Sequence, residues 1–149
     1  MTGLGYFVLP SAGACTTTAP AARDQFAALL LVDQQVLGPE HPDTLRDRNN
    51  LVFWTGEAGD PAAARDQFAA LLPVLERVLG PEHPETLVAR ANLARWTGQA
   101  GDPAGARDQY AALLPARERV LGPGHRRTLT TRHELAHWTA MADDDPSFL

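Results

Sequence analysis

His133-Glu134-Leu135-Ala136-His137 sets two imidazoles four residues apart, with a carboxylate beside the first. On a helix this spacing puts both rings on one face, where they can hold zinc while the glutamate draws a proton from a metal-bound water. The chemistry it would support is peptide hydrolysis. Asp143 stands where a longer form of the motif carries its third ligand, but Ala140 replaces the glycine that lets the chain turn back toward the metal.

The rest of the chain explains those five residues in another way. The same positions read Asn49-Asn50-Leu51-Val52-Phe53 and Ala91-Asn92-Leu93-Ala94-Arg95 earlier on. The motif therefore arises from a few changes to a repeated segment, in which Leu135, Ala136 and Trp138 are core positions. A zinc metallopeptidase stays as a remote alternative. The expectation is no enzyme, with no catalytic residue, no metal and no cofactor.

Internal repetition decides the fold. Ala22-Arg23-Asp24-Gln25-Phe26-Ala27-Ala28-Leu29-Leu30 recurs from Ala64 to Leu72, and again from Ala106 to Leu114 with Tyr110 in place of phenylalanine. Leu37-Gly38-Pro39-Glu40-His41-Pro42 returns from Leu79 to Pro84, and more loosely from Leu121 to Arg126. Trp54, Trp96 and Trp138 keep the same register, as do Thr44-Leu45, Thr86-Leu87 and Thr128-Leu129.

Each unit reads as two helices. Ala64, Phe68, Leu71, Leu72, Leu75, Val78 and Leu79 form one apolar stripe at spacings of three and four. Asp60-Pro61 supplies an N-cap and a first-turn proline, and Gly80-Pro81 ends the helix. A shorter helix follows from Pro84, with Gly98 and Gly101 ending it. The pattern predicts helices near 20–37, 42–57, 61–79, 84–99, 103–121 and 127–141. Pro73 and Pro115 fall inside long helices and predict kinks there.

Composition narrows the functions. All thirteen basic residues of the 149-residue chain are arginine, so no lysine exists for a phosphate-binding loop or a Schiff base. The net charge is −5 and the arginines are scattered, which argues against a nucleic-acid partner. Cys15 is the only cysteine, which excludes an internal disulfide and a thiolate zinc site and suits a reducing compartment. No apolar run approaches the roughly 20 residues that cross a bilayer. Tyr6-Phe7-Val8-Leu9 ahead of Cys15 is too short, and too poor in preceding basic residues, for an export signal. A cytoplasmic protein without a membrane partner is expected.

Asn92-Leu93-Ala94, Gly101-Asp102, Ala106 and Tyr110 reproduce the spacing of small and large core positions in a tetratricopeptide repeat. The period of about 42 residues, with the Leu-Gly-Pro-Glu-His-Pro corner and Asn49-Asn50-Leu51, is similar to the kinesin-light-chain class of these repeats, a class that also occurs in bacterial regulatory proteins. The resemblance covers residues 20–141. It implies an all-α fold, a right-handed α-α superhelix (solenoid) of stacked antiparallel helix pairs. Residues 1–19 are expected to be irregular, or to cover the exposed end of the first long helix with Tyr6, Phe7, Val8 and Leu9. Residues 20–149 are expected to form a solenoid of about three repeats ending in an unpaired helix. The implied function is an adaptor or scaffold that binds a protein or peptide in a concave groove. The alternatives are self-association through the solenoid ends, giving a homo-oligomer, or a fragment of a larger signalling protein.

Comparing the units with one another locates that groove. Arg46/Val88/Thr130, Asn49/Ala91/His133 and Phe53/Arg95/His137 change from copy to copy and share one face of the short helix. An exposed Phe53 on that face would anchor an apolar side chain. By position in the family, Asn50 and Asn92 would hold a peptide backbone, whereas Glu134 replaces that asparagine in the third copy. Two further sets are given structural roles. Arg48, Arg90 and Arg132 are expected to pair with Asp24, Asp66 and Asp108, and His41, His83 and His125 to be turn residues.

Overall fold

The computed structural model describes residues 18–144. Six helices follow one another: α1 (Ala19–Val36), α2 (Pro42–Glu57), α3 (Pro61–Val78), α4 (Pro84–Gln99), α5 (Pro103–Leu121) and α6 (Arg126–Asp143). No strand occurs among the described residues. Each helix packs against the next in the chain, and α2 also touches α4. This is an all-α helical-repeat solenoid, with α1–α2, α3–α4 and α5–α6 as its three units. The expected cover from Tyr6, Phe7, Val8 and Leu9 lies outside the described residues.

Local chemistry fixes the helix ends. Asp60 and Asp102 accept hydrogen bonds from the backbone N–H groups of Ala63 (3.0 Å) and Gly105 (2.8 Å), each ahead of a first-turn proline. The short helices use imidazole instead. Nδ1 of His41, His83 and His125 accepts from the N–H of Asp43 (3.2 Å), Glu85 (3.1 Å) and Arg127 (3.1 Å). The corner histidines are N-caps, in keeping with the turn role expected of them. Gly38, Gly80 and Gly122 follow the long helices at φ of 96°, 101° and 91°, a conformation that other residues rarely adopt. α3 and α5 run on through Pro73 and Pro115, both of which face solvent.

Within a unit, the two helices are tied at a repeated point. The hydroxyls of Thr44, Thr86 and Thr128 reach the carbonyls of Asp33 (3.5 Å), Leu75 (3.4 Å) and Arg117 (3.4 Å). The in-phase threonines thus dock the start of each short helix on the last turns of the long helix before it.

Between units, the core is built as two buried clusters, both of which draw on α4. Phe68, Leu71 and Leu75 of α3 share a buried cluster with Leu45 and Phe53 of α2 and Trp96 of α4. Tyr110 and Leu113 of α5 lie in a second cluster with Leu87 and Ala91 of α4 and Trp138 of α6. The in-phase tryptophans have a specific seat. A Cβ on Gly56 would stand 2.5 Å from the Trp96 ring, and one on Gly98 would stand 2.5 Å from the Trp138 ring. Gly98 was expected to help end its helix, but α4 continues past it to Gln99. Its role is to admit an indole.

A second inter-unit device is electrostatic. Arg77 of α3 pairs with Glu40 in the preceding corner, and Arg119 of α5 pairs with Glu82 in the next. The Arg77 guanidinium holds the Glu40 carboxyl below the usual carboxylate range. Both pairs are exposed, so they contribute to register more than to stability.

One layer varies in chemistry from unit to unit. Asp33 and Asp47 meet in the first unit, Leu75 and Ala89 occupy the corresponding places in the second, and Arg117 donates to the Thr131 hydroxyl (2.7 Å) in the third. Asp47 is buried, and burial, followed by the hydrogen bond with Asp33, pushes its carboxyl up to about 6. Arg117 is fully buried and also donates to the carbonyls of Arg127 (3.0 Å) and Leu87 (3.4 Å), joining α4, α5 and α6.

Candidate functional site

The twelve residues expected to line a groove belong to α2, α4 and α6, and the structure divides them by depth. Arg46, His133 and His137 are exposed, and Arg95, Thr130 and Glu134 are half-buried. Asn49, Asn50, Phe53, Val88, Ala91 and Asn92 are buried.

The expectation of an exposed Phe53 is overturned. Its side chain is 5% exposed, packed edge-on against Trp54 (5.3 Å) and Trp96 (6.1 Å), with the Arg95 guanidinium 5.5 Å from its ring centre. The cause is the neighbouring short helix. Arg95 of α4 reaches back to Glu57 of α2 and lies over both aromatic rings, closing the position from which Phe53 would have emerged. Asn49 is taken up in the same seam: its Nδ2 donates to the Glu85 carbonyl (3.4 Å) and carboxylate (3.3 Å). Val88 and Ala91 belong to the cluster that contains Trp138. Much of the varying face in the first two units is thus inter-unit packing. In α6, which has no following unit among the described residues, the same face is open at His133 and His137.

The proposed pairing of Arg48, Arg90 and Arg132 with Asp24, Asp66 and Asp108 is not what the structure contains. Those aspartates are exposed and bond to the arginine just before each, Arg23 (3.1 Å), Arg65 (3.0 Å) and Arg107 (2.9 Å). Arg90 instead donates to the Ala112 carbonyl (3.3 Å), and Arg132 to Glu118 (2.6 Å) and the Pro123 carbonyl (3.3 Å). Arg90 and Arg132 thus tie a short helix to α5, the first at its middle and the second near its C-terminal end.

Three buried polar atoms on α4 lack a hydrogen-bond partner among the described residues: the Trp96 indole nitrogen, Asn92 Oδ1 and Arg95 Nη1. Three residues apart, the last two lie on the same side of the helix, one an acceptor and the other a donor. Such atoms are costly to leave unsatisfied. Residue type alone pointed to Asn92, but it gave no sign that Arg95 would leave a donor beside it.

His133 and His137 do share one side of α6, as the HExxH spacing requires. The helix then runs unbroken to Asp143, which places that carboxylate roughly 9 Å farther along the axis than His137. Among the described residues, no three His, Cys, Asp or Glu side chains are grouped to hold a metal ion. No helix among them is long and apolar enough to cross a membrane.

The family model for the tetratricopeptide repeat matches residues 49–119, from the middle of α2 to the last turn of α5. No curated protein matches the chain in sequence.

Proposed function

Since this chain is a tetratricopeptide repeat protein, a family whose repeats are in general protein-interaction modules, we propose that it holds a segment of a partner protein along α2, α4 and α6. The unpaired Asn92 Oδ1 and Arg95 Nη1 carry this reading. A peptide unit offers the N–H and the C=O that these two atoms lack, and a small rotation of the half-buried Arg95 would admit it. Asn50 takes part in backbone recognition beside them. With Phe53 covered, the accessible groups are Arg46, Arg95, Thr130, Glu134, His133 and His137, which favour an acidic or polar segment over an apolar one. The role is that of an adaptor or scaffold, without catalytic residue or cofactor, and the lone Cys15 suits a cytoplasmic setting.

The test is capture of partners on the immobilised full chain, followed by affinity measurements with Asn92→Leu and Arg95→Met. Each change should weaken binding about tenfold while the helical circular dichroism stays intact. Unchanged binding in both variants would remove α4 from the site.

A further inference from the structure

The outward side of α1 carries an apolar seam whose central leucine is covered in its sister helices. Gln25, Leu29, Val32 and Val36 follow one another at intervals of four, three and four, the spacing of a helix-pairing stripe. Leu29 is 45% exposed, whereas its counterparts Leu71 and Leu113 are 1% and 0% exposed. In those units the preceding short helix covers the position, α2 on α3 and α4 on α5. Val32 and Val36 are also exposed, the latter to 73%, and Leu31 stands out where α3 and α5 have proline.

Charge has been withdrawn from the same helix. Glu76-Arg77 and Glu118-Arg119 of the later units become Gln34-Gln35 in α1. From Gln25 to Gly38 the only charged residue is Asp33, which is engaged with Asp47. A solvent-facing stretch this apolar and this poor in charge is a surface for another helix.

The obvious cover would be α6 of another copy, continuing the stack head to tail, but the inter-unit contacts do not continue across such a junction. Gly124 stands where Glu40 and Glu82 stand, and Gln35 where Arg77 and Arg119 stand, so the ion pair has neither partner. Ala140 stands in the register of Gly56 and Gly98, where a Cβ would come within 2.5 Å of the next indole. We therefore infer that two copies of this chain associate through α1, each laying its Gln25–Val36 seam on the other's across a two-fold axis. An uncharged seam meets itself without like-charge repulsion, and an isologous contact closes at two copies without leaving an open filament.

Sedimentation equilibrium of the full chain, across a wide concentration range, should show a monomer–dimer equilibrium. Val32→Glu combined with Val36→Glu should weaken the dimer by at least about tenfold, with circular dichroism unchanged, because both side chains are exposed in the monomer. Met141→Glu, on the exposed side of α6, should leave it unaffected. A dimer that survives the glutamates, or that Met141→Glu abolishes, overturns the inference. So does a monomer at every concentration, which would leave the seam to another protein's helix or to residues 1–17. None of these variants touches Asn92 or Arg95, so dimerisation and partner binding can fail separately.

Discussion

Trp96 lies so close over Gly56 that position 56 has no room for a side chain. Alanine is the better helix former by about 1 kcal/mol, yet Gly56→Ala should destabilise the protein by about 1–3 kcal/mol, because the indole must move out of a close-packed core. Gly98→Ala should behave alike against Trp138. Urea denaturation followed by tryptophan fluorescence measures both. Either variant matching or exceeding the parent in stability would show that the indole moves without cost.

The Asp33–Asp47 pair predicts an unusual pH dependence. Asp47 binds its proton more tightly folded, near 6, than at the ordinary value of 3.8. A carboxyl raised in this way stabilises the fold at low pH. That stabilisation, at most about 3 kcal/mol, is lost as pH rises from about 4 through 6. Asp43 reinforces the shift and Arg46 opposes it. Copying the second unit, with Asp33→Leu and Asp47→Ala together, should raise stability at neutral pH and flatten the profile over that window. Urea midpoints on the two sides of pH 6 decide it, and an identical slope in parent and double variant would count against the shared proton.

Arg117 is the corresponding residue of the third unit, and it predicts the opposite response to truncation. Its charge-assisted bonds to Thr131 and to the Arg127 and Leu87 carbonyls are buried. Arg117→Ala should cost about 3 kcal/mol or more, whereas Arg117→Leu with Thr131→Ala, again copying the second unit, should recover most of it. Thermal unfolding of the three proteins gives the comparison.

Asn92 separates a binding role from a structural one. If its Oδ1 is kept unsatisfied for a ligand, Asn92→Leu should hold or increase stability by about 1 kcal/mol. If the carboxamide instead supports the fold, the same change should lower the melting temperature. Calorimetry of the unliganded protein distinguishes the two.

Helix positions were legible in the sequence to within a residue or two, because the Asp-Pro starts, the Gly-Pro stops and the three-four apolar spacing all recur in register. Depth on the short helices was not. Phe53, Asn49, Val88 and Ala91 vary between copies, as solvent-facing residues do, yet a neighbouring unit covers them. Variation of this kind records that each copy meets a different neighbour, so it cannot by itself distinguish a groove from a seam. The glycine–tryptophan seats were in principle readable, since Gly56 and Gly98 share the period of the tryptophans, but proximity across units is a property of superhelical pitch. The aspartate pair was hidden for a similar reason, because Asp33 and Asp47 have no acidic counterparts in the other copies.

The packing runs chiefly from each helix to the next, and this governs how the chain folds. Its native contacts close short loops, so little chain entropy is lost before each hairpin gains contacts, and any hairpin can serve as a starting point. α3 and α4 are held from both sides, whereas α1 and α6 each lack one flanking helix among the described residues. Opening should therefore spread inward from the ends, with the slowest amide exchange in the two middle helices and the fastest in the outer pair.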